Sequence, residues 1–257
     1  MALSPGEPAV VDRLRAAGCV FAEDEAALLA AATATPAELD ALVGRRVAGE
    51  PLEHLLGWTE FCGRRIAVAP GVFVPRQRTS LLVREAVGLA RPDAVVVDLC
   101  CGSGAVGAAI AARLPGVDLH AADVDSAAVA CARRNLPDAR VHEGDLFEAL
   151  PASLRGRVDV LVANVPYVPS DAIALMPPEA RDHEPRVALD GGPDGLDVAR
   201  RVVAEAPSWL SAGGSVLFET GEEQVPAALA VVTAAGLTPR VIRDDELGAT
   251  VVLGRLG

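Results

Sequence analysis

The sequence predicts an α/β fold in which a mostly parallel β-sheet carries helices on both faces, preceded by a small helical N-terminal domain. From Thr79 onward, short apolar runs alternate with helical segments, which is the rhythm of parallel strand–helix units. Before residue 50 the apolar positions recur only at helical spacing. The chain has 257 residues, 51% of them hydrophobic and 23% charged. That size accommodates one large α/β domain, or a standard domain with a small appendage.

The N-terminal part is predicted to contain three short helices. Two of them fall at residues 10–17 and 25–32, where apolar positions lie at helical spacing. Thr35-Pro36-Ala37-Glu38 combines a capping box with proline at the first helical position, so a third helix begins there and runs towards Arg46. Residues 58–61 and 66–68 then flank a turn. We therefore predict a helical domain at residues 1–50, a β-hairpin linker at 51–75 and the α/β domain at 76–257.

Seven apolar segments are the predicted strands of the α/β region, and helices are predicted between most of them. The strands fall at residues 94–99, 117–122, 140–142, 158–163, 215–219, 238–242 and 250–253, and two of the helices at 105–114 and 127–135. The carboxyl ends of parallel strands share one edge of a sheet, and ligands bind at that edge. Asp98, Asp123, Asp145 and Asn164 all fall at or just beyond such ends. We expect these four side chains to face one ligand site.

Composition disfavours several classes of function. The net charge of −12 argues against a nucleic-acid duplex or a membrane surface as a partner. No apolar stretch reaches the roughly 18 residues of a membrane span, and residues 1–7 lack the basic and apolar regions of a secretory signal. The five cysteines form no C-x-x-C pair. We expect a cytoplasmic monomer that binds no nucleic acid, membrane or metal.

A glycine-rich segment joins the first strand of the α/β region to its helix. It reads Asp98-Leu99-Cys100-Cys101-Gly102-Ser103-Gly104-Ala105-Val106-Gly107. The glycine spacing is G-x-G-x-x-G, and Asp123 follows Gly102 by 21 residues, as in a dinucleotide site. Taken alone, the segment fits a nicotinamide or flavin cofactor and S-adenosyl-L-methionine about equally.

Three acids favour S-adenosyl-L-methionine. Asp98 can meet a cationic amino group, whereas it would repel the phosphates of a dinucleotide. Asp123 can accept hydrogen bonds from two ribose hydroxyls, and Asp145 can accept one from an adenine amino group. A single Asp more often caps a helix or lies in a solvated loop. Three of them at successive strand ends indicate a cofactor site.

Asn164-Val165-Pro166-Tyr167 follows the apolar run 158–163 and contains the only tyrosine of the chain. Methyl transfer to an amide or exocyclic amine needs two fixed acceptors that orient the nitrogen lone pair. The Asn164 side-chain oxygen and the Val165 carbonyl can supply them, because Pro166 favours extended geometry at the preceding residue. Tyr167 can stack on the planar group. The alternative is a plain Asn-x-Pro turn with Tyr167 in a surface crevice, which the cofactor signals upstream disfavour.

Over roughly residues 45–254 the sequence resembles the protein-(glutamine-N5) methyltransferase family, which methylates the glutamine of the Gly-Gly-Gln loop in peptide-chain release factors. The matching segments are 49–57, 60–61 with Gly63, 70–76, 98–104, 144–147, 164–167, 184–186 and 188–196. The resemblance implies a Rossmann-like, seven-stranded class I methyltransferase domain that uses S-adenosyl-L-methionine. It also implies a helical N-terminal domain that helps to seat the protein substrate.

The same resemblance assigns roles to individual residues. It implies that the 100–104 loop, Asp123, Leu146 and Asn164 line the cofactor. It implies that Asn164, Val165, Pro166 and Tyr167 hold the substrate glutamine.

The sequence departs from the family pattern in three places. Val165 stands where the family usually has proline, giving Asn-Val-Pro-Tyr in place of Asn-Pro-Pro-Tyr. Gln77-Arg78-Thr79-Ser80 lacks the usual acidic residues, and Cys100-Cys101 replaces a common Gly-Thr. These changes indicate a divergent branch. They leave a ribosomal protein glutamine as an alternative substrate, with a DNA adenine-N6 methyltransferase or a non-enzymatic cofactor-binding module less favoured.

Overall fold

The N-terminal part of the computed structural model, which describes residues 7–257, is helical. Its helices are α1 (Glu7–Ala16), α2 (Ala22–Ala31), α3 (Pro36–Val47) and the short α4 (Leu52–Leu56). The predicted capping box is confirmed, since Thr35 Oγ1 accepts from the Glu38 backbone N–H at 3.2 Å and the Glu38 carboxylate accepts from the Thr35 backbone N–H at 3.1 Å. Leu14, Leu29 and Val43 are fully buried in an apolar cluster that belongs to these helices alone. The prediction that no secretory signal is present concerned residues 1–7. Residues 1–6 lie outside the described part of the chain.

A two-stranded hairpin follows the helices. Strands β1 (Trp58–Phe61) and β2 (Arg64–Ala67) pair antiparallel, and Phe61 and Ile66 are buried against the helices of the α/β region. The helices are also tied to that region by Arg46, which binds Glu25 at 2.6 Å and Glu179 at 2.5 Å. The division of the chain at residues 50 and 75 remains a prediction.

The rest of the chain alternates strands and helices. In order these are α5 (Ser80–Leu89), β3 (Val95–Leu99), α6 (Ala105–Ala111), β4 (Asp118–Asp123), α7 (Ser126–Asn135), β5 (Arg140–Glu143), β6 (Val158–Ala163), α8 (Pro178–His183), α9 (Asp197–Trp209), β7 (Leu210–Glu219), α10 (Val225–Ala234), β8 (Thr238–Asp244) and β9 (Ala249–Arg255). One seven-stranded sheet has the order β5-β4-β3-β6-β7-β9-β8. Strands β3 to β7 pair parallel, and β9 pairs antiparallel with both β7 and β8. The predicted mostly parallel, seven-stranded sheet is confirmed.

The central strands are apolar on both faces because helices cover both faces. Val97, Leu161 and Phe218 pack towards α9 and α10, whereas Val96 and Val162 pack towards α5 and α6. The chain runs outward from β3 to β5 and then returns to β6 on the other side of β3. This reversal creates a switch point between β3 and β6, the place where α/β sheets bind ligands.

Several predicted boundaries differ from the structure by one to five residues. Strand β7 begins at Leu210 rather than at residue 215. Val158 of β6 pairs with Leu210 and Val160 pairs with Ser215, and this shift of register accommodates Gly213 and Gly214 of β7. Helix α6 ends at Ala111 rather than at residue 114. Within residues 7–257, no helix is both long and apolar enough to cross a membrane.

Candidate active site

A cavity of about 190 Å³ opens at the carboxyl edge of the sheet, beside the switch point. The structure brings almost all of the predicted site residues to its wall. They are Asp98, Cys100, Cys101, Gly102, Ser103, Asp123, Asp145, Leu146, Asn164, Val165, Pro166 and Tyr167. Gly104 is the one predicted site residue that does not line this cavity.

Asp98 is the buried acid of the cavity. Its Oδ2 accepts a hydrogen bond from the backbone N–H of Gly107, in the first turns of α6, at 2.9 Å. Its Oδ1 is buried without a hydrogen-bond partner within residues 7–257. Burial raises the pKa of this carboxyl to about 7, although the Gly107 bond lowers it. An unpartnered acceptor that borders a cavity fits a cationic donor from a ligand.

Asp123 ends β4 and organises the neighbouring backbone. Its Oδ2 accepts from the Gly102 N–H at 2.8 Å, and its Oδ1 accepts from the Asp125 N–H at 2.9 Å. Each oxygen keeps acceptor capacity for a second donor. Burial raises the pKa of Asp123 despite these backbone bonds. The side chain therefore fixes the glycine-rich loop and also lines the cavity.

Two non-glycine residues of the cavity wall adopt left-handed backbone conformations. Cys100 has φ of 54° and Leu146 has φ of 48°. Such conformations cost energy and cluster at ligand sites. Asp145 precedes Leu146, and its Oδ2 accepts from Arg201 at 2.6 Å. Arg201 of α9 thus binds one oxygen of this cavity-lining carboxylate. That Asp145 accepts a hydrogen bond from an adenine amino group stays a prediction.

Gly104 serves the packing of the loop. It has φ of 77° at the start of α6, and a Cβ there would lie 2.9 Å from Leu136 Cδ1 and 3.1 Å from the Ala132 Cα. The glycine thus allows α7 to approach the loop closely. This position explains why Gly104 is absent from the cavity wall, in contrast to the expectation that it lines the cofactor.

The 164–167 segment follows β6, the strand next to β3, and lines the same cavity as Asp98. Asn164 follows β6, and its Oδ1 is buried without a hydrogen-bond partner in the described part of the chain. Val165 packs in the core with Leu196. Gln224 Nε2 donates to the Tyr167 carbonyl at 2.9 Å. The 189–196 loop also holds the segment, since its backbone bonds to Val168 and a Cβ on Gly191 would come within 2.7 Å of the Pro166 carbonyl oxygen.

The structure adds charged residues that the sequence reading did not assign to the site. Arg76, Arg78 and Arg201 line the cavity. Arg76 Nη2 donates to both oxygens of Glu184, at 2.8 and 2.7 Å, and the Val74 N–H donates to the same carboxylate at 3.1 Å. The sequence contained one indication of this contact. Segments 70–76 and 184–186 both match the family pattern, and their residues bind each other in the structure.

Fold and site together define a class I methyltransferase. The seven-stranded sheet has an antiparallel β9, and the cavity at the switch point contains an acid at the end of β3. The Methyltransferase small domain family model matches residues 64–176. Among solved structures, a methyltransferase from Pyrococcus furiosus superposes with a TM-score of 0.58 at 19% identity, over 76% of this chain and 90% of that one. A 16S rRNA methyltransferase from T. thermophilus, in complex with AdoMet and guanosine, gives 0.56 at 21% identity, over 78% and 50%.

Sequence relatives identify the family within this class. The release factor glutamine methyltransferase of Geobacter sulfurreducens is 40% identical, over 86% of this chain and 80% of that protein. The chain belongs to the release factor glutamine methyltransferase family. A 4-amino-L-phenylalanine/4-methylamino-L-phenylalanine methyltransferase of Streptomyces pristinaespiralis is 36% identical, over 76% of this chain and 69% of that protein.

Proposed function

We propose that this protein transfers a methyl group from S-adenosyl-L-methionine to the side-chain amide nitrogen of a glutamine, in the Gly-Gly-Gln motif of a peptide-chain release factor. The observation that carries the proposal is a pair of buried acceptors without partners among the described residues, Asp98 Oδ1 and Asn164 Oδ1, at one cavity. Asp98 Oδ1 suits the amino group of the cofactor, and Asn164 Oδ1 suits the N–H of the acceptor amide. Family membership supports the same reaction and substrate.

The cofactor half of the cavity fits this assignment. Asp98 would bind the cationic amino group, and Asp123 would accept from the ribose hydroxyls with its remaining lone pairs. The loop at Cys100, Cys101, Gly102 and Ser103 and the Leu146 side chain would line the cofactor. The bound cofactor would supply a methyl group made electrophilic by its sulfonium charge.

Asn164 and Val165 would activate the acceptor nitrogen. An amide nitrogen is a weak nucleophile, because its lone pair is delocalised into the carbonyl. Two acceptors on its N–H hydrogens favour the pyramidal nitrogen of the transition state. The Asn164 Oδ1 supplies one acceptor. The Val165 carbonyl supplies the other, and within residues 7–257 it receives no other hydrogen bond. The nitrogen loses its proton after methylation makes it acidic, so no dedicated base is needed.

Pro166 and Tyr167 complete the substrate side. Pro166 restricts Val165 and so helps to aim its carbonyl. The Tyr167 ring forms the wall against which the planar amide would lie. Since Val165 contributes its carbonyl, a valine side chain is compatible with the reaction. The acidic net charge supports a protein rather than a nucleic acid as the substrate, and we propose a cytoplasmic monomer.

A second candidate is methylation of the aromatic amine of a free amino acid. The Streptomyces pristinaespiralis relative supports it, because its name records a methyltransferase for two amino acids that carry an amine on an aromatic ring. Asn164 and Tyr167 would serve that reaction in the same way. Substrate selection would then depend on how the rest of the acceptor is bound.

A competition experiment distinguishes the candidates. The protein is incubated with labelled S-adenosyl-L-methionine and a mixture of four acceptors: a purified release factor, ribosomal proteins, 4-amino-L-phenylalanine and short duplex DNA. We expect label on the release factor, at the Gly-Gly-Gln glutamine. Label on 4-amino-L-phenylalanine or on ribosomal protein alone selects that alternative, and label on DNA alone overturns glutamine methylation.

A further inference from the structure

The Tyr167 hydroxyl is bound by two charged side chains from distant parts of the chain. Tyr167 Oη donates to Glu219 Oε1 at 2.8 Å, and Arg78 Nη2 donates to Tyr167 Oη. Glu219 is the last residue of β7, whereas Arg78 precedes α5. The hydroxyl proton and one oxygen lone pair are therefore engaged by the protein itself.

Glu219 is a fixed point in this arrangement. Its side chain is only 3% exposed, at the carboxyl end of a central strand. Its Oε1 also accepts from Arg78 Nε at 2.9 Å, and its Oε2 accepts from Thr79 Oγ1 at 2.7 Å. A buried carboxylate with three donors has little freedom to reorient. The tyrosine is thus tied to the sheet through a rigid acceptor.

The Tyr167 side chain borders two open spaces. Tyr167 and Arg78 line the candidate active-site cavity and also a second groove of about 430 Å³. Glu219 lines this groove and does not line the cavity. Because Tyr167 borders open space at both the cavity and the groove, its hydrogen bonds help to set the ring position.

We infer that Glu219 is a positioning residue, which holds the Tyr167 ring where the acceptor amide must lie, and that Arg78 completes the bond from the other side. This inference rests on the proposed function, in which Tyr167 borders the acceptor amide. Glu219 acts through the Tyr167 hydroxyl and touches neither cofactor nor substrate. The same contacts exclude the Tyr167 hydroxyl as a proton donor to the substrate.

The contact itself is testable without any substrate, because Tyr167 is the only tyrosine of the chain. Burial and the Glu219 carboxylate raise the pKa of Tyr167, whereas the Arg78 guanidinium lowers it. Alkaline titration of phenolate absorbance should therefore give a lower midpoint for Glu219→Gln than for the parent protein. Arg78→Met should give a higher midpoint. Far-UV circular dichroism, recorded at each pH, restricts the comparison to folded protein, and an unchanged midpoint in Glu219→Gln overturns the contact.

A double-mutant cycle tests the positioning role. Glu219→Gln and Tyr167→Phe should each lower kcat/KM by about tenfold or more, through misplacement of the ring. The double variant should be no slower than the slower single variant, since both changes break one connection. The dissociation constant of S-adenosyl-L-methionine should stay unchanged in all three. The inference is overturned if the losses of kcat/KM in the two single variants add in the double variant. It is also overturned if a weaker affinity for S-adenosyl-L-methionine accounts for the loss of kcat/KM.

The control for this cycle is Glu222→Gln, an exposed acid of the same groove that binds Arg243 and Thr250. It should leave kcat/KM unchanged. The cycle uses whichever acceptor takes label in the competition experiment. A failure of release factor as the substrate is therefore distinguishable from a failure of Glu219 as a positioning residue.

Discussion

The backbone N–H of Gly107 donates to Asp98 Oδ2 at 2.9 Å, so the first turns of α6 hold the acid at the end of β3. The other carboxylate oxygen is buried and has no partner among residues 7–257. Burial raises the pKa of Asp98 to about 7, and the nearby charge of Asp123 acts in the same direction. In the proposed complex, the amino group of the cofactor would favour the charged form of Asp98.

Cofactor affinity should therefore depend on pH. Below pH 7 the free protein carries a proton on Asp98, and binding of a cationic amino group must displace it. The affinity for S-adenosyl-L-methionine should fall by about tenfold for each pH unit below roughly 6.5, and this slope should vanish as the pH rises past 7. Isothermal titration between pH 5.5 and 8.5 measures this. Asp98→Asn should bind weakly with a flat profile, and the same slope in that variant would assign the titration to another group.

The same carboxyl should also affect the stability of the free protein. Since its pKa is higher in the folded state than in the unfolded state, the folded state binds the proton more tightly between about pH 4 and 7. The stability that Asp98 contributes thus falls as pH rises through this range. Relative to the parent protein, Asp98→Asn should gain about 2–3 kcal/mol of unfolding free energy between pH 5 and 8. Urea unfolding at the two pH values tests this, and an equal difference at both contradicts it.

Gly107→Ala should weaken cofactor binding. A Cβ at this position would lie 3.1 Å from Asp98 Oδ2 and 3.3 Å from Leu119 Cδ2, so the carboxylate must move. We expect roughly a tenfold loss of affinity, about 1.4 kcal/mol. The matched control is Gly44→Ala in α3, where a Cβ meets no atom within 4 Å. The control should raise stability by about 0.5–1 kcal/mol and leave affinity unchanged.

Gly191→Ala should reduce turnover while cofactor binding persists. Its Cβ would come within 2.7 Å of the Pro166 carbonyl oxygen and 2.6 Å of the Gly195 carbonyl oxygen, so the 164–167 segment must shift. A shift of about 1 Å in a positioning segment costs roughly a hundredfold in rate. Single-turnover kinetics and equilibrium binding separate the two effects. Unchanged turnover in a folded variant would mean that the loop does not fix the segment.

The fold was predictable because its central strands are buried on both faces and therefore consist almost entirely of apolar residues. Val158–Ala163 was predicted with its observed bounds for that reason. The start of β7 was missed, because Gly213 and Gly214 resemble a turn in sequence whereas the register shift opposite β6 accommodates them. Boundaries fixed by a partner strand are not encoded in the local pattern.

The cofactor side of the candidate site was predictable for a related reason: acids at the ends of parallel strands must converge. The contacts of Tyr167 were not. Arg78 and Glu219 are separated by 141 residues, and nothing local in the sequence indicates that Glu219 is buried or that Arg78 reaches it. The ion pair of Asp145 with Arg201 was not predicted for the same reason. Arg201 lies in α9, 56 residues later in the sequence and beyond the 164–167 segment.

The most direct test of the central claim is peptide mapping of a release factor after incubation with S-adenosyl-L-methionine and either the parent protein or Asn164→Ala. We predict one methyl group on the Gly-Gly-Gln glutamine with the parent protein. With Asn164→Ala we predict none, although cofactor binding is weakened only modestly. Methylation of that glutamine by Asn164→Ala at the parent rate would contradict the assignment of Asn164 as an acceptor for the amide N–H.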